Sequence, residues 1–228
     1  MEPYLFPYLG YWQLMASADV FLLYDDVQYV RRSWINRNRV LVSGKPSWLT
    51  VPVASAPLET PIIGMRLGND YSQKVRRVHA RIAHGYRDAP ALATGLTVVE
   101  RSLRPASTQL IEVLLDSLAA IRAHLDISAP LLRSSTLDYD RTSPRQERLI
   151  ELCRMLGAEE YLSLSGGRGL YDPETFATAG ITLRFHDLDG MVQRADPECD
   201  ARFSILDSLM TTSRERLHAL VHGGRWLA

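Results

Sequence analysis

Two adjacent aspartates, Asp25 and Asp26, are the residues of this sequence best suited to acid–base chemistry. They directly follow an apolar run, residues 20–24, which predicts a buried strand. A carboxylate at the end of a strand can accept a proton, orient an amine or ligate a metal ion, and the same pair is also common in helix caps and turns. Because successive side chains of a strand point to opposite sides, we expect one aspartate to face a substrate. The other should pair with an arginine or cap a turn.

A turn with the pattern Pro-Tyr-Leu-Gly-Tyr, residues 7–11, precedes these aspartates. Its spacing matches the Pro-His-x-Gly-His turn with which nucleotidylyltransferases and pantothenate synthetase bind the phosphates of ATP, but both histidines are tyrosines here. Tyr8 and Tyr11 can each donate a hydrogen bond, and neither can carry a positive charge toward a phosphate. The pattern leaves two roles open for these tyrosines, which are ligand binding and packing in the core.

The stretch from residue 28 to residue 39 is aromatic, basic and rich in amides. Guanidinium groups suit phosphates and carboxylates, amides suit hydroxyl groups, and a tryptophan offers a surface on which a sugar or a base can stack. In an extended chain the asparagines would share one face and the arginines the other. The alternative is an edge strand that its charges keep soluble. The candidate binding residues are Gln28, Trp34, Asn36, Arg37, Asn38 and Arg39.

Two further candidates lie in the second half of the chain. Residues 165–169, Ser-Gly-Gly-Arg-Gly, follow a predicted strand, and free N–H groups at Gly166 and Gly167 would suit an oxyanion or a phosphate, although an ordinary tight turn explains the same pattern. His186 lies at the predicted carboxyl end of a strand beside Asp187 and is the one histidine that we retain as a candidate acid or base. The other histidines lack metal-ligand partners, so the sequence predicts no metal site.

The composition excludes several classes of function. Among the 228 residues, 26 are lysine or arginine and 26 are aspartate or glutamate, so any basic surface must be local. No apolar run is long enough to span a bilayer, and the first residues do not resemble a signal peptide. Cys153 and Cys199 are too few for a disulfide framework, and Cys153 falls on the apolar stripe of a predicted helix. The sequence therefore predicts a soluble, cytoplasmic protein without membrane partners.

The elements that must position these residues alternate between strands and helices. A strand, a turn, a helix and a second strand over residues 4–24 predict the opening of a mostly parallel α/β sheet of the Rossmann-like or nucleotidylyltransferase-like type, in which ligands bind beyond the carboxyl ends of the strands. A β-hairpin about Gly44 follows, then a strand over 62–67 and a helical middle at about 72–128. Further strands are predicted at 131–136, 161–164 and 181–186, and further helices after Ser143 and at 173–178, 203–210 and 213–222.

This order of elements predicts one α/β domain over residues 1–228. Several candidates follow predicted strands or strand-like turns, so we expect them to line one cleft at the carboxyl edge of the sheet. The residues of this expected cleft are Tyr8, Asp25, Asp26, Asn36 and Gly167.

Several ordered stretches resemble the WbqC-like protein family over essentially the whole chain. They are residues 3–11, 24–28, 34–39, 146–148, 156–158, 166–167 with 170–171, and 204–207. Proteins of this family occur among bacterial O-antigen and sugar-modification genes. The resemblance implies a glycine or aminoacyl transferase that acts on an amino sugar, and it adds Tyr171 to the candidate binding residues.

The chain departs from the family pattern in two places. Family members usually carry a few apolar residues and a glutamine before Pro3, whereas this chain begins Met-Glu-Pro, so either the native start lies upstream or the first strand is short. Near the carboxyl end, residues 191–194 replace an aromatic-rich stretch of the family, and substrate contacts are expected to differ there.

The expected function is an amide-forming aminoacyl or acyl transfer to a small-molecule amine such as an amino sugar. An ammonium is inert until it loses a proton, which suggests Asp25 or Asp26 as the acceptor, with His186 as the next candidate. The cofactor is unknown, and the donor is either an aminoacyl-tRNA or an aminoacyl adenylate made from ATP. A local basic surface that includes Arg31 and Lys45 would suit the phosphates of a tRNA.

Two alternatives remain open at this point. One is a non-catalytic protein that binds a sugar or a nucleotide within a biosynthetic complex. The other is an ATP-dependent amide ligase that resembles pantothenate synthetase. The sequence leaves the oligomeric state open.

Overall fold

The computed structural model describes residues 1–104, 106–187 and 203–227. Within these ranges it contains eight α-helices: α1 (Leu9–Ser17), α2 (Tyr71–Gly85), α3 (Leu92–Ser102), α4 (Leu110–His124), α5 (Arg145–Met155), α6 (Pro173–Thr178), α7 (Ile205–Thr211) and α8 (Arg214–His222). The strands are β1 (Phe21–Leu23), β2 (Arg37–Val42), β3 (Lys45–Thr50), β4 (Leu131–Arg133), β5 (Glu160–Ser163), β6 (Thr182–His186) and β7 (Trp226–Leu227).

These strands form small sheets in place of one large sheet. β1 pairs in parallel with β4, β2 pairs antiparallel with β3, and β6 lies between β5, which is parallel to it, and β7, which is antiparallel. The mixed α/β class is confirmed. A single Rossmann-like sheet is not found among the described residues, and β1 and β4 are each three residues long, which limits the number of hydrogen bonds between them.

The predicted turn at residues 7–11 opens α1, which is buried along most of its length. The side chain of its N-cap residue, Tyr8, makes no capping hydrogen bond. Inside the helix, the indole Nε1 of Trp12 donates to the carbonyl oxygen of Pro7 at 3.0 Å, and α1 packs against α8. Burial on nearly every side therefore stabilises α1, and it fixes the position of the turn that precedes it.

The hydrophobic core is divided into one large cluster and two smaller ones. The large cluster joins α1, β1, α3, α4, α7 and α8, and the second joins α5, α6 and β6. Gly95 lies where α3 approaches α7, and a Cβ there would fall 2.4 Å from the Cγ of Met210.

The sequence predicted a helical middle without distinguishing α3 as a separate helix. That one domain covers the whole chain stays a prediction.

Two strand predictions are wrong. Residues Ile62–Gly64 form a 3₁₀ turn instead of a strand. Residues 4–6 are irregular, because Phe6 has a φ of 46°, and the left-handed region cannot continue an extended chain. The first strand is therefore missing, and its place is taken by a bent segment that leads into α1.

The bent segment at Phe6 is held by side-chain hydrogen bonds from distant parts of the chain. The amide Nδ2 of Asn38 donates to the carbonyl oxygens of Leu5 at 3.1 Å and of Phe6 at 2.7 Å. The hydroxyl of Ser204 donates to the same carbonyl of Phe6 at 2.9 Å. A bulky residue in the left-handed region costs about 1–3 kcal/mol and persists only where its surroundings determine it. The hairpin and the start of α7 supply those surroundings.

Replacing Asn38 with alanine should lower the free energy of unfolding by about 1–3 kcal/mol, because the carbonyl oxygen of Leu5 loses its donor and that of Phe6 keeps only the hydroxyl of Ser204. Urea unfolding followed by circular dichroism measures the difference. Asn69→Ala removes an amide of the same size from an exposed position and should stay within about 0.5 kcal/mol of the wild type. Equal stabilities of the two variants would contradict the bracing role of Asn38.

Candidate functional site

The carboxyl ends of the parallel strands β1 and β4 carry a cluster of paired charges. Asp25 and Asp26 follow β1, and Arg133 to Ser135 lie at the end of β4. Because parallel strands end at the same edge, the two segments meet, and Tyr139 and Arg141 complete the cluster from the loop before α5. We call this cluster the carboxylate centre; it consists of Asp25, Asp26, Arg133, Ser134, Ser135, Tyr139 and Arg141.

Asp25 is completely buried, and both of its carboxylate oxygens are occupied. Arg133 Nε donates to Oδ2 at 2.6 Å, the hydroxyl of Ser135 donates to Oδ2 at 3.0 Å, and the N–H of Ser135 donates to Oδ1 at 3.0 Å. A charge without access to water requires partners of this kind. Asp25 therefore joins β1 to β4 and presents no oxygen to a ligand.

Asp26 lies at the boundary between this interior and the surface, and its side chain is 6% exposed. The hydroxyl of Tyr139 lies 2.9 and 3.0 Å from its two oxygens, and Arg141 Nε donates to Oδ2 at 2.8 Å. Burial and then the bond to Asp26 raise the pKa of Tyr139, so that its hydroxyl remains a donor. The side chain of Arg141 is 43% exposed. Arg141 therefore lies between the carboxylate of Asp26 and the solvent-exposed surface.

Both aspartates pair with an arginine, whereas only one was expected to do so. The arginines were missed because no local pattern joins them to the aspartates; Arg133 is 108 positions away from Asp25. Asp25 and Asp26 differ in access to the surface, which makes Asp26 the better candidate for contact with a substrate. Its catalytic role stays a proposal.

Two arginines of α5 connect the carboxylate centre with Tyr171. The guanidinium of Arg148 lies 5.7 Å from the ring centre of Tyr24, the residue before Asp25. One helical turn earlier, the guanidinium of Arg145 lies 5.8 Å from the ring centre of Tyr171. The structure thus places Tyr171 and Tyr24 against arginines that lie one turn apart on α5. Residues three positions apart lie on the same face of a helix, so the sequence could have predicted that these two arginines lie side by side.

The glycine loop forms a 3₁₀ turn, Ser165–Gly167. The N–H of Gly167 donates to the carbonyl oxygen of Leu164 at 2.8 Å and is not free to bind an anion. A Cβ at Gly167 would fall 2.4 Å from the Oγ of Ser163 and 3.0 Å from the ring of Tyr171. Close packing therefore requires this glycine, whereas Gly166 is exposed. Tyr171 itself is a buried ring that packs edge-on against Tyr161 and Phe176.

The two tyrosines of the turn at residues 7–11 have different surroundings. Tyr11 is fully buried, its hydroxyl donates to the carbonyl oxygen of Glu2 at 3.2 Å, and its ring lies 5.2 Å from that of Phe21. Packing is therefore the role that the structure shows for Tyr11. Tyr8 is partly exposed, and burial raises its pKa to about 12. It remains a neutral donor at physiological pH and the one candidate ligand of this turn.

Within β2, Asn38 points to the side opposite to Arg37 and Arg39, as the alternation predicts, and the buried Asn36 directly precedes the strand. Asn38 braces Phe6, and the buried Asn36 donates to the carbonyl oxygen of Val51 at 2.7 Å while it accepts from the hydroxyl of Tyr29 at 2.8 Å. Gln28 is exposed and donates to the carbonyl oxygen of Leu58 at 2.8 Å. The asparagines are therefore occupied inside the protein, and the arginines face outward.

Arg37 and Arg39 belong to a chain of stacked cations and rings, which we call the ladder. The guanidinium of Arg37 lies 4.2 Å from the ring centre of Trp48, whose ring lies 5.4 Å from that of Trp34. The guanidinium of Arg39 lies 5.6 Å from Trp34 and 5.5 Å from Phe203. Trp34 and Trp48 are 41% and 43% exposed. Trp48 and Phe203 were not predicted as site residues, although Trp48 lies opposite Arg39 in the predicted hairpin.

His186 is fully buried at the end of β6, and its ring lies edge-on to Trp226 at 5.1 Å. A Cβ at Gly224 would lie 3.5 Å from its Nε2. Neither ring nitrogen has a hydrogen-bond partner among the described residues. Burial lowers the pKa of His186, so the ring is neutral near pH 7.

Other predicted features are placed as follows. Cys153 is buried, and burial raises the pKa of its thiol to about 11. Cys199 and residues 191–194 lie outside the described residues.

In the part of the chain that the structure describes, no three histidine, cysteine or acidic side chains are grouped to hold a metal ion. No helix within the described ranges is long and apolar enough to cross a membrane.

Fold and site define a mixed α/β protein with a charged centre at the carboxyl ends of a parallel strand pair. The chain belongs to the WbqC-like protein family, whose model matches residues 2–219. It is also similar to the uncharacterised protein Rv1507c of Mycobacterium tuberculosis, with 32% identity over 198 residues, which cover 81% of this chain and 79% of that protein. No solved structure matches the chain.

The contacts of the two aspartates predict unequal effects on stability. Asp25→Asn should lower the free energy of unfolding by about 3 kcal/mol, since it leaves Arg133 without its carboxylate in a half-buried place. Asp26→Asn should cost about 1 kcal/mol, because Arg141 can turn to water. Urea unfolding of both variants measures the difference. A larger loss in Asp26→Asn than in Asp25→Asn would contradict the assignment of Asp25 to the interior.

The burial of His186 predicts a pH dependence of stability. Because its pKa is lowered from 6.5 in the folded protein, the unfolded chain binds a proton more readily, and stability should fall as the pH drops below about 6.5. His186→Phe keeps an aromatic ring and should show a shallower loss between about pH 7.5 and pH 5. Urea unfolding at each pH measures both slopes. Identical slopes would show that His186 does not titrate differently in the folded and unfolded states.

Proposed function

We propose that this protein is an amide-forming aminoacyl or acyl transferase that acts on an amine. Glycine or another amino acid is the proposed acyl group, and an amino sugar or a related biosynthetic intermediate is the proposed acceptor. The observation that carries the proposal is the carboxylate of Asp26, which lies at the carboxyl ends of β1 and β4 and is paired with the half-exposed Arg141. Membership in the WbqC-like family is consistent with it.

The chemistry assigns a step to each group around Asp26. The substrate ammonium takes the place of the guanidinium of Arg141 on Oδ2 and gives up a proton to the carboxylate or to water. The free amine then attacks the acyl carbon, the new C–N bond forms, and the C–O bond to the donor breaks. The leaving oxygen takes up a proton. Arg141, displaced from Asp26, is positioned to stabilise the oxyanion that develops on the acyl group.

A non-catalytic protein that binds sugars or nucleotides is the second candidate function. One observation favours it, namely that both oxygens of Asp26 already accept hydrogen bonds from Tyr139 and Arg141. A carboxylate in this state serves as a fixed acceptor for a ligand at least as readily as it serves as a base. An ATP-dependent ligase gains no such support, because Tyr11 of the resembling turn is buried in the core.

The two candidates differ in whether a product forms. Mass spectrometry of amino sugars incubated with the protein, amino acids and either ATP or charged tRNA should reveal an amide of the acceptor. A binding protein gives no product with any donor. That outcome would refute the transferase.

Asp26→Asn should lower the turnover by at least about 100-fold, because asparagine keeps the shape of the side chain but cannot accept a proton. Asp138→Asn removes an exposed carboxylate from the same loop and should keep the wild-type rate, which excludes a general effect of local charge. Unfolding curves of both variants check that the fold is intact. Near wild-type turnover of Asp26→Asn would exclude this aspartate, and His186 would be tested next.

A further inference from the structure

The ladder is a surface on which two cations lie between aromatic rings. Its order is Arg37, Trp48, Trp34, Arg39 and Phe203; each guanidinium lies within about 6 Å of a ring centre, and the two tryptophan rings are tilted by 37° to each other. The two tryptophans are among the exposed large hydrophobic residues of the protein. Stacked guanidinium groups keep their N–H edges free of the ring that they cover, so those edges can be offered to an anion.

Neither cation of the ladder is neutralised by a carboxylate within the described residues. Arg37 donates only to backbone, from Nε to the carbonyl oxygen of Ser33 at 3.2 Å and from the guanidinium to that of Arg32. Arg39 has a buried Nε without a hydrogen-bond partner in the described ranges. The two aspartates of the carboxylate centre are already paired with Arg133 and Arg141. Two partly buried positive charges on one strand, without a carboxylate partner in the described part of the chain, indicate an anionic ligand.

The positive charge continues from the ladder onto α2. The guanidinium of Arg81 donates to the carbonyl oxygen of Trp48, and Arg77 lies one helical turn earlier on the same exposed face. Neither of them has an acidic partner among the described residues. A ligand that used this face would present several negative charges in a row together with flat apolar groups. Single-stranded nucleic acid has this combination of phosphates and stacking bases.

The far end of the ladder adjoins the turn that holds Tyr8. Phe203 precedes Ser204, whose N–H donates to the carbonyl oxygen of Arg39 at 2.8 Å. Ser204 also forms a β-bridge with Tyr8. The far end of the ladder therefore lies beside the backbone of Tyr8.

We propose that the ladder binds single-stranded RNA, and that this RNA is the acceptor end of the aminoacyl-tRNA that donates the acyl group. The second half of this statement rests on the proposed function, whereas RNA binding does not. The arginines hold the phosphates and the tryptophans stack on the bases. The zero net charge of the chain makes this local surface responsible for the attraction.

Fluorescence anisotropy with a short labelled RNA ending in the CCA sequence of tRNAs tests the proposal. Arg39→Gln and Trp48→Ala should each weaken binding about tenfold, and Trp48→Phe should retain most of the affinity because it keeps a ring for stacking. Arg154→Ala removes an exposed guanidinium from α5 and is the matched control, with unchanged affinity expected. In Arg39→Gln the slope of log K against log salt should fall by about 0.7, the value for one phosphate contact on a single strand.

Four outcomes would overturn the proposal. The first three are the absence of RNA binding by the wild type, equal affinities of the ladder variants and Arg154→Ala, and equal binding of single-stranded and duplex RNA. Displacement of the RNA by a nucleoside diphosphate sugar at matched phosphate concentration would instead assign the ladder to a sugar nucleotide and also overturn it. Amide formation from free amino acid and ATP is measured separately, so failure of RNA binding is distinguished from failure of the transferase. Circular dichroism confirms that each variant is folded.

Discussion

A charge without access to water must be matched by donors inside the protein, and Asp25 is such a charge. The guanidinium of Arg133 and the N–H and hydroxyl of Ser135 match it, which fixes the end of β4 against the end of β1. Asp26 is then placed at the edge of the same cluster, with Tyr139 and Arg141 around it. The geometry of the proposed site is therefore a consequence of neutralising its buried neighbour.

The hairpin of β2 and β3 serves two sides of the protein at once. Its inward amides hold the bend at Phe6 and the strand end at Val51, and its outward guanidinium groups stack on the tryptophans. Because side chains alternate between the two faces of a strand, the amides bind internal carbonyl groups while the guanidinium groups stay at the surface. The same strand thus links the turn at Tyr8 to the ladder.

Patterns of neighbouring residues predicted those elements whose conformation depends mainly on neighbouring residues. The alternation of Asn36, Arg37, Asn38 and Arg39, the helix α2 and the hairpin turn follow from side-chain period and turn residues, and the structure confirms them. The family, too, was recognisable from ordered motifs. The positive φ of Phe6 was not predictable, because it depends on donors 32 and 198 positions away. The partners of the two aspartates were missed for the same reason, since buried charges find partners by three-dimensional proximity.

The parallel pairing of β1 with β4 also constrains how the protein folds during synthesis. Phe21 pairs with Leu131, and the parallel pair of strands cannot form until both strands have left the ribosome. Until then Asp25 has no guanidinium partner, and the entropy of closing so long a loop is lost before any contact compensates for it. The hairpin and α2 involve only nearby residues and can form early. The carboxylate centre therefore becomes ordered later than the hairpin and α2, and a chain that ends before residue 141 cannot assemble it.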